Sequence, residues 1–218
     1  MNYCESFCRT IQRLCNSGGG GLPDEYQQVE YLRATGTQYI NTGVKTANGI
    51  GIKAVISCAN NAENPMLCGA STTSSNRFFL WTFDAQLKIA YGYRDAYTRT
   101  NHTWAINTVY DIDATIGTSK ITLKQIGAGG WTYEANVTTQ FNGSIDLYLL
   151  ATNVSGTSTG NKLSGKLYSA SMYNSGRKIR DFIPCYRLSD SKPGLYDLVS
   201  NTFYTNAGTG EFTVGQDV

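Results

Sequence analysis

The sequence predicts an all-β protein, a two-sheet antiparallel sandwich preceded by a short N-terminal helix. After Pro23, apolar residues alternate with polar or small residues, which is the period of strands that bury one face. Turn signals such as Asn48-Gly49 and Asn142-Gly143 separate these segments at short intervals. No long helical period follows residue 22, so the pattern favours a sandwich over an α/β enzyme.

The alternating segments define the strands that we expect. Tyr, Phe and Trp make up 12% of the 218 residues, and such aromatic residues favour strands. A chain of this length can bury one β-sandwich core, and we assign residues 24–218 to that single domain. The predicted strands are 50–57, 77–82, 87–93, 109–117, 120–125, 131–137, 145–151 and 163–173.

The first 17 residues predict an amphipathic helix. Its apolar stripe contains Tyr3, Phe7, Ile11 and Leu14, at spacings of three and four residues. Residues 18–23 form a glycine-rich linker. A helix of about four turns is marginal alone in water, so the stripe needs a partner. We interpret it as an anchor for assembly with another protein, and the alternative is a leader that folds back on the sandwich or stays disordered.

Composition excludes several classes of function. The 18 basic and 16 acidic residues nearly cancel without a basic cluster, which argues against nucleic-acid binding. The sequence contains no run of about 18 apolar residues, so it predicts no membrane span. The N-terminus does not resemble an export signal, and we therefore expect synthesis in a host cytoplasm. The six Cys are then expected to be free thiols. One helix carrying Cys4, Cys8 and Cys15 cannot supply four zinc ligands, so no metal site is predicted.

Two terminal motifs indicate a family. Near the start are Tyr26-Gln27-Gln28-Val29-Glu30-Tyr31 and Gly36-Thr37-Gln38-Tyr39-Ile40, and the end contains Arg180-Asp181-Phe182-Ile183-Pro184-Cys185, Gly194-Leu195-Tyr196-Asp197 and a turn-rich segment, residues 203–212. This order resembles laminin-G-like, concanavalin A-like jelly-roll modules of bacteriophage and prophage structural proteins. The resemblance implies a jelly roll in which residues 36–41 pair near residues 163–173. It also implies an architectural role for Arg180, Asp181 and Tyr186, through an ion pair and a phenol hydrogen bond.

Candidate catalytic and metal-binding residues are few. Asp111 and Asp113 share one strand face, but the Glu-x-Asp-x-x-Glu motif of jelly-roll glucanases is missing, so a solvated strand face is the simpler interpretation. His102 is the single histidine, and no nucleophile elbow accompanies it. Calcium is left open as a cofactor, because Asp84, Asp95 and Asp146 are candidate donors without an EF-hand loop.

Aromatic residues near turns are the candidate ligand-binding groups. Flat rings beside Asn, Asp and Arg suit sugars, which present apolar C–H faces fringed by hydroxyls. We predict an exposed glycan-binding set at strand ends and beside glycine-rich turns: Tyr93, Tyr97, Trp104 and Trp131.

The expected function is therefore nonenzymatic. The sequence and its resemblance imply a virion protein (a head fibre, decoration protein or tail adhesin) that binds a glycan or host surface and joins capsid or tail proteins through residues 1–21. A homotrimer is expected from that setting alone. The alternatives are a carbohydrate-binding module of a bacterial surface protein, an inert spacer and a glycoside hydrolase, since one fold hosts many functions.

Deleting residues 1–21 tests the anchor. We expect the remaining domain to fold and stay soluble but not to join its assembly, because the apolar stripe is lost. Circular dichroism and co-sedimentation with assembled particles measure both properties. Incorporation of the truncated protein at the full-length level contradicts the anchor.

Overall fold

A computed structural model describes residues 21–60, 64–73, 76–91, 97–127, 129–136, 143–158 and 161–218, with the backbone alone at 83 and 97–102. The strands are β1 (Tyr26–Gln28), β2 (Leu32–Thr35), β3 (Ile40–Lys45), β4 (Ile50–Cys58), β5 (Met66–Thr73), β6 (Asn76–Phe83), β7 (Gln86–Tyr91), β8 (Tyr97–Thr103), β9 (Tyr110–Ile116), β10 (Lys120–Ile126), β11 (Trp131–Asn136), β12 (Asp146–Leu149), β13 (Thr152–Val154), β14 (Thr157–Ser158), β15 (Ser164–Asn174), β16 (Arg177–Arg187), β17 (Lys192–Asp197), β18 (Thr202–Thr205) and β19 (Thr213–Val214).

These strands form two sheets. The larger sheet has the order β11-β10-β9-β4-β15-β16-β17-β18, with β2 beside β15, β1 beside β16 and β19 beside β2. The smaller sheet has the order β14-β13-β5-β6-β7-β8, and β12 joins β3 to β5. Among the described strands, every pair is antiparallel except β5 with β13. The predicted all-β, two-sheet class is confirmed, whereas the predicted helix over residues 1–17 lies outside the described residues. Within the described part, no helix has the length and hydropathy needed to cross a membrane.

The core lies between the sheets because each strand turns its apolar residues inward. On β4, Ile50, Ile52 and Ile56 are buried, while Lys53 points outward. Burying one such side chain stabilises the fold by about 1.5–3 kcal/mol. On the inner side of the smaller sheet, Phe78 packs in the same core.

Three cysteines are buried and free, as expected for small core residues. Burial raises the pKa of Cys58 and of Cys185 to about 12, and the Trp104 indole, hydrogen-bonded to Cys58, opposes part of that shift. Burial also raises the pKa of Cys68. These thiols are neutral at physiological pH and therefore poor nucleophiles.

The N-terminal strands divide between the sheets at Gly36. β2 pairs with β15, from Ser164↔Thr35 to Leu167↔Leu32, but β3 pairs with β12 in the smaller sheet. The predicted pairing of residues 36–41 near residues 163–173 is therefore wrong. Gly36 has a φ of +94°, a backbone conformation that other residues rarely adopt, and it redirects the chain towards the other sheet.

Residues 35–39 and 206–211 form a hydrogen-bonded unit, which we call the terminal lock. Buried Gln38 donates from Nε2 to the carbonyl of Glu211 at 2.9 Å and accepts at Oε1 from the amide of Thr35 at 2.8 Å. The Tyr39 amide donates to Asn206 Oδ1 at 3.1 Å, and the Ala207 amide donates back to the Tyr39 carbonyl at 2.9 Å. The two terminal motifs are thus parts of one structure.

A second polar link joins the sheets at the C-terminal motif. Arg180 Nε lies 3.6 Å from Asp197 Oδ2 and donates to the carbonyl of Thr42, on β3, at 3.0 Å. The sequence motif suggested an ion pair at Arg180-Asp181, yet Asp181 pairs with Lys178 at 2.8 Å. Asp197 is fully buried and accepts from the Asp181 amide at 2.7 Å. The architectural role is confirmed with a different acidic partner.

The phenol hydrogen bond predicted for Tyr186 is confirmed. Its hydroxyl donates to Asp217 at 3.3 Å. The adjacent Val29↔Asp217 bridge and the bond from the Val218 amide to the Gln28 carbonyl, 3.1 Å long, hold the last residues beside β1.

Replacing Gln38 tests the terminal lock. Gln38→Leu leaves the Thr35 amide and the Glu211 carbonyl without their partner, so we expect a loss of about 2–4 kcal/mol in the free energy of unfolding. Urea denaturation measures the change. The exposed Gln216→Leu is the control and should stay within about 0.5 kcal/mol of wild type. Equal stability of the two variants would show that the lock is dispensable.

Candidate functional site

The predicted aromatic set does not form an exposed group. Trp104 is 3% exposed, stacks on Tyr110 at a centroid distance of 4.1 Å and hydrogen-bonds Cys58, so its predicted exposure is wrong. The segment after β8 therefore places this indole in the core. Trp131 is half-buried and packs against the same core. Tyr93 lies outside the described residues, and Tyr97 is described by its backbone, which pairs with Ala90.

The other candidates are separated in the fold. Asp84 lies in the exposed β6–β7 turn, whereas Asp146 pairs with Lys45 at 2.9 Å. Asp95 and the anchor residues Tyr3, Phe7, Ile11 and Leu14 lie outside the described residues, and His102 is described by its backbone in β8. Among the described residues, no group of three or more His, Cys, Asp or Glu side chains could hold a metal ion.

The outer face of the larger sheet assembles a more coherent set of side chains. Because residues alternate along a strand, Gly51, Lys53, Val55 and Ser57 belong to the outer face of β4 while its isoleucines enter the core. Lys53 is exposed and Val55 half-buried, whereas Gly51 and Ser57 are buried. Gly51, Lys53 and Val55 have register partners on both sides, in β9 and β15, whereas Ser57 is paired with Lys166 of β15. The outward side chains therefore form rows that cross the strands.

One row is polar, and we call it the polar row. It runs Lys124–Asp113–Lys53–Ser171–Asp181 through directly opposed positions of five neighbouring strands, β10, β9, β4, β15 and β16. Lys53 Nζ lies 3.2 Å from Asp113 Oδ2, and the Asp113 side chain is 16% exposed. The row thus carries two lysines and two aspartates, and the Ser171 hydroxyl lies between Lys53 and Asp181.

The next row, two residues along each strand, is mainly aliphatic, and we call it the apolar row. Opposed positions of β10, β9, β4 and β15 form this row from Ile126, which is 48% exposed, Asp111, half-buried Val55 and Ser169. On β16, half-buried Ile183 follows Phe182, the register partner of Ala170. Burial raises the pKa of Asp111, the Lys53 ammonium opposes this, and the Asp113 charge adds to it. Asp111 is therefore less solvated than the sequence analysis expected when it placed this residue on a solvated strand face.

Tyr173 borders the polar row on its other side. Its ring lies under the Lys53 ammonium, 5.5 Å from the centroid, and its hydroxyl is 3.4 Å from Ser171 Oγ. Gly51 is opposite Tyr173 on β4, so no side chain there shields the ring. The face therefore combines a half-exposed ring, an aliphatic surface and paired charges, which can contact both the C–H faces and the hydroxyls of a polyol.

Known proteins were compared with the chain. No protein-family model and no curated protein sequence matches it. Among solved structures, the fold is similar to the mouse laminin alpha1 chain, domains LG4-5, with a TM-score of 0.50 and 12% sequence identity. The match covers 71% of this chain and 44% of that one, so the chain spans less than half of that structure.

The fold is a laminin G-like jelly roll. The resemblance in the terminal motifs is confirmed at this level, and at 12% identity the similarity concerns the fold alone. Within this jelly roll, sequence analysis identified Asp111 and Asp113 as neighbours on one strand face. It missed Lys53, Ser171 and Tyr173, because the pattern predicts outward positions on each strand but not the register that aligns them.

The raised pKa of Asp111 gives a pH prediction. Since its folded pKa exceeds its unfolded pKa, the folded state binds more protons between the two values, and the ionised carboxylate costs stability at higher pH. We expect Asp111→Asn to be more stable than wild type at pH 7. This advantage should shrink as pH falls through the raised folded pKa towards the ordinary Asp pKa and be lost below it, as measured by urea denaturation at several pH values.

Asp113→Asn is the matched control. It breaks the partly exposed pair with Lys53, and we expect it to lose up to about 1 kcal/mol at pH 7. An Asp111→Asn protein that is less stable than wild type at pH 7 contradicts the unfavourable burial of this carboxylate.

Proposed function

We propose that this protein is a nonenzymatic binding domain that takes a glycan on the outer face of the larger sheet. The observation that carries the proposal is the polar row lying directly beside the apolar row. A sugar chain across the strands would place ring hydrogens on Val55 and Ile183 and hydroxyls on Lys53, Asp113 and Ser171. The Lys53–Asp113 pair presents both a donor and an acceptor to such hydroxyls.

The rigidity of the site supports binding. Lys53, Ser171 and Asp113 lie on central strands of the sheet, so little conformational entropy is lost when a ligand binds. Polyols compete with water for the same hydrogen bonds, and a pre-organised array of donors and acceptors with an apolar surface offsets that competition.

A glycoside hydrolase is the second candidate, and one observation favours it. Asp111 has a raised pKa while Asp113 pairs with Lys53, and unlike environments of two carboxylates are typical of an acid and a base. The geometry favours binding, because Asp111 and Asp113 are two residues apart on one strand and therefore lie on the same side of a ligand. Glycosidase carboxylates flank the scissile bond.

The setting that we propose is a phage particle. The terminal motifs resemble those of phage and prophage modules, and residues 1–21 would attach the domain to a capsid or tail protein as a head fibre, decoration protein or adhesin. Trimers would raise the avidity of a weak glycan site by linking copies. A module of a bacterial surface protein would use the same face, whereas an inert spacer would bind no glycan.

Substitutions on the face test the proposal. A glycan array of host-surface polysaccharides, followed by calorimetry with the strongest ligand, gives the wild-type affinity. Tyr173→Ala removes ring contact and should weaken binding roughly tenfold. Ser171→Trp fills the polar row and should weaken it at least as much. Tyr133→Ala, at an edge-strand tyrosine that is 37% exposed, is the control and should bind as wild type.

The same ligands separate binding from hydrolysis. The proposal predicts no new reducing ends after prolonged incubation with wild-type protein. Hydrolysis that disappears in both Asp111→Asn and Asp113→Asn establishes the glycosidase instead. Equal affinities of all variants contradict binding at this face.

A further inference from the structure

A third row crosses the outer face beyond the apolar row, two residues further along β4 and three along β15, where the register shifts between Leu167 and Ser169. It contains two adjacent cations. It runs Ser57–Lys166–Arg33–Thr213 through opposed positions of β4, β15, β2 and β19. We call it the basic row. Arg33 is exposed and Lys166 half-exposed. Like charges directly opposite on neighbouring strands destabilise a sheet, so this arrangement calls for a compensating group.

Among the described residues, no carboxylate compensates these two cations through an ion pair. The ion pairs of the described chain involve other lysines and arginines, and neither Arg33 nor Lys166 has an acidic partner among them. Glu30 is the acidic residue closest to Arg33 in the sequence. Burial raises the pKa of the Tyr168 phenol, and the negative charge of Glu30 adds to this rise. The repulsion between the two cations is therefore not cancelled by an ion pair within the described part of the protein.

Aromatic and hydroxyl groups surround the pair. Lys166 Nζ lies 4.1 Å from the centroid of the Tyr31 ring, which holds the ammonium in place. Tyr168 meets Tyr31 edge to face at 5.4 Å and hydrogen-bonds Ser57. Thr35 and Ser164, opposed on β2 and β15, continue the polar surface beside the cations.

We propose that Arg33 and Lys166 bind the acidic group of a saccharide, a carboxylate or sulfate, with the sugar ring beside Tyr31 and Tyr168. The arginine fork matches two oxygens of such a group, and the ammonium provides a point charge. The exposed Thr213, opposite Arg33, carries a hydroxyl that can donate to a remaining oxygen. Only the saccharide part rests on the proposed function, because the oxyanion site uses none of the polar-row residues.

Thermal unfolding of the full chain tests the oxyanion site. Sodium sulfate and sodium phosphate are compared with sodium chloride at equal ionic strength, so that screening of the repulsion is the same. Sulfate and phosphate stabilise folded proteins generally by exclusion from the surface, so we expect wild type and both variants to gain over chloride. The gain of Arg33→Gln/Lys166→Gln should be smaller than that of wild type, because wild type also binds the oxyanion. Arg177→Gln/Lys120→Gln removes two cations elsewhere and should keep the full wild-type gain. Equal gain in wild type and the Arg33/Lys166 variant overturns the site.

A single variant has a readout that a purely structural role would not give. Without bound oxyanion, Arg33→Gln removes the repulsion and keeps the contact between Lys166 and Tyr31, so its midpoint in chloride should be at or above that of wild type. A lower midpoint in chloride contradicts the unfavourable pairing. Arg33→Lys keeps the charge without the fork and should retain only part of the additional wild-type gain in sulfate and phosphate.

Nuclear magnetic resonance titrations distinguish the ligand sources. Glucuronate, glucose and inorganic phosphate are added separately to the full chain. Binding of glucuronate at least roughly tenfold tighter than of either glucose or phosphate supports an acidic saccharide. Phosphate binding as tightly as glucuronate overturns the saccharide part. Loss of glucuronate binding in Arg33→Gln/Lys166→Gln, but not in Tyr173→Ala, separates this site from the polar row.

Discussion

The terminal lock is the constraint on which the rest of the sandwich depends. Gln38 is buried near one end of the described chain, and its amide bonds the Glu211 carbonyl 173 positions later. This contact sits where the chain leaves the larger sheet at Gly36 and enters the smaller one at β3. A buried amide is costly unless it is hydrogen-bonded, so Gln38 stabilises the crossing between the sheets through its bonds to Thr35 and Glu211. Such non-local pairing also makes slow folding the expectation.

The outer face follows from the same architecture. β15 is held by β4 on one side and by β16 and β2 on the other, and this fixes the register of the rows. Arg180 supports β16 by joining Asp197 and the Thr42 carbonyl of the opposite sheet. The three rows of outward side chains thus lie on strands that cannot shift independently. Their chemistry differs in order, from paired charges through an aliphatic surface to Arg33 and Lys166, which have no acidic partner among the described residues.

The strand pattern was largely predictable from sequence. Residues 50–57 and 163–173 were expected as strands and are observed as Ile50–Cys58 and Ser164–Asn174. Period-two alternation reports which face is buried, and this suffices for local structure. The change of sheet at Gly36 was missed because pairing partners are set by distant residues, and a glycine alone does not indicate the direction of a turn.

The site was less predictable for a related physical reason. Trp104 precedes a turn, a position that favoured exposure, but the indole closes the core beside Tyr110. The alignment of Lys53 with Asp113 and of Lys166 with Arg33 depends on register between strands far apart in the chain. The alternation predicts which residues point outward, but it does not predict which residues of other strands lie beside them.

The central claim is that ligands bind the outer face of the larger sheet. Chemical-shift mapping of the labelled domain with the strongest ligand from a glycan array tests it most directly. The account predicts amide shifts concentrated in β4, β9 and β15. Shifts concentrated instead in the loops around Ile106 and Ala207, with those three strands unchanged, would contradict it.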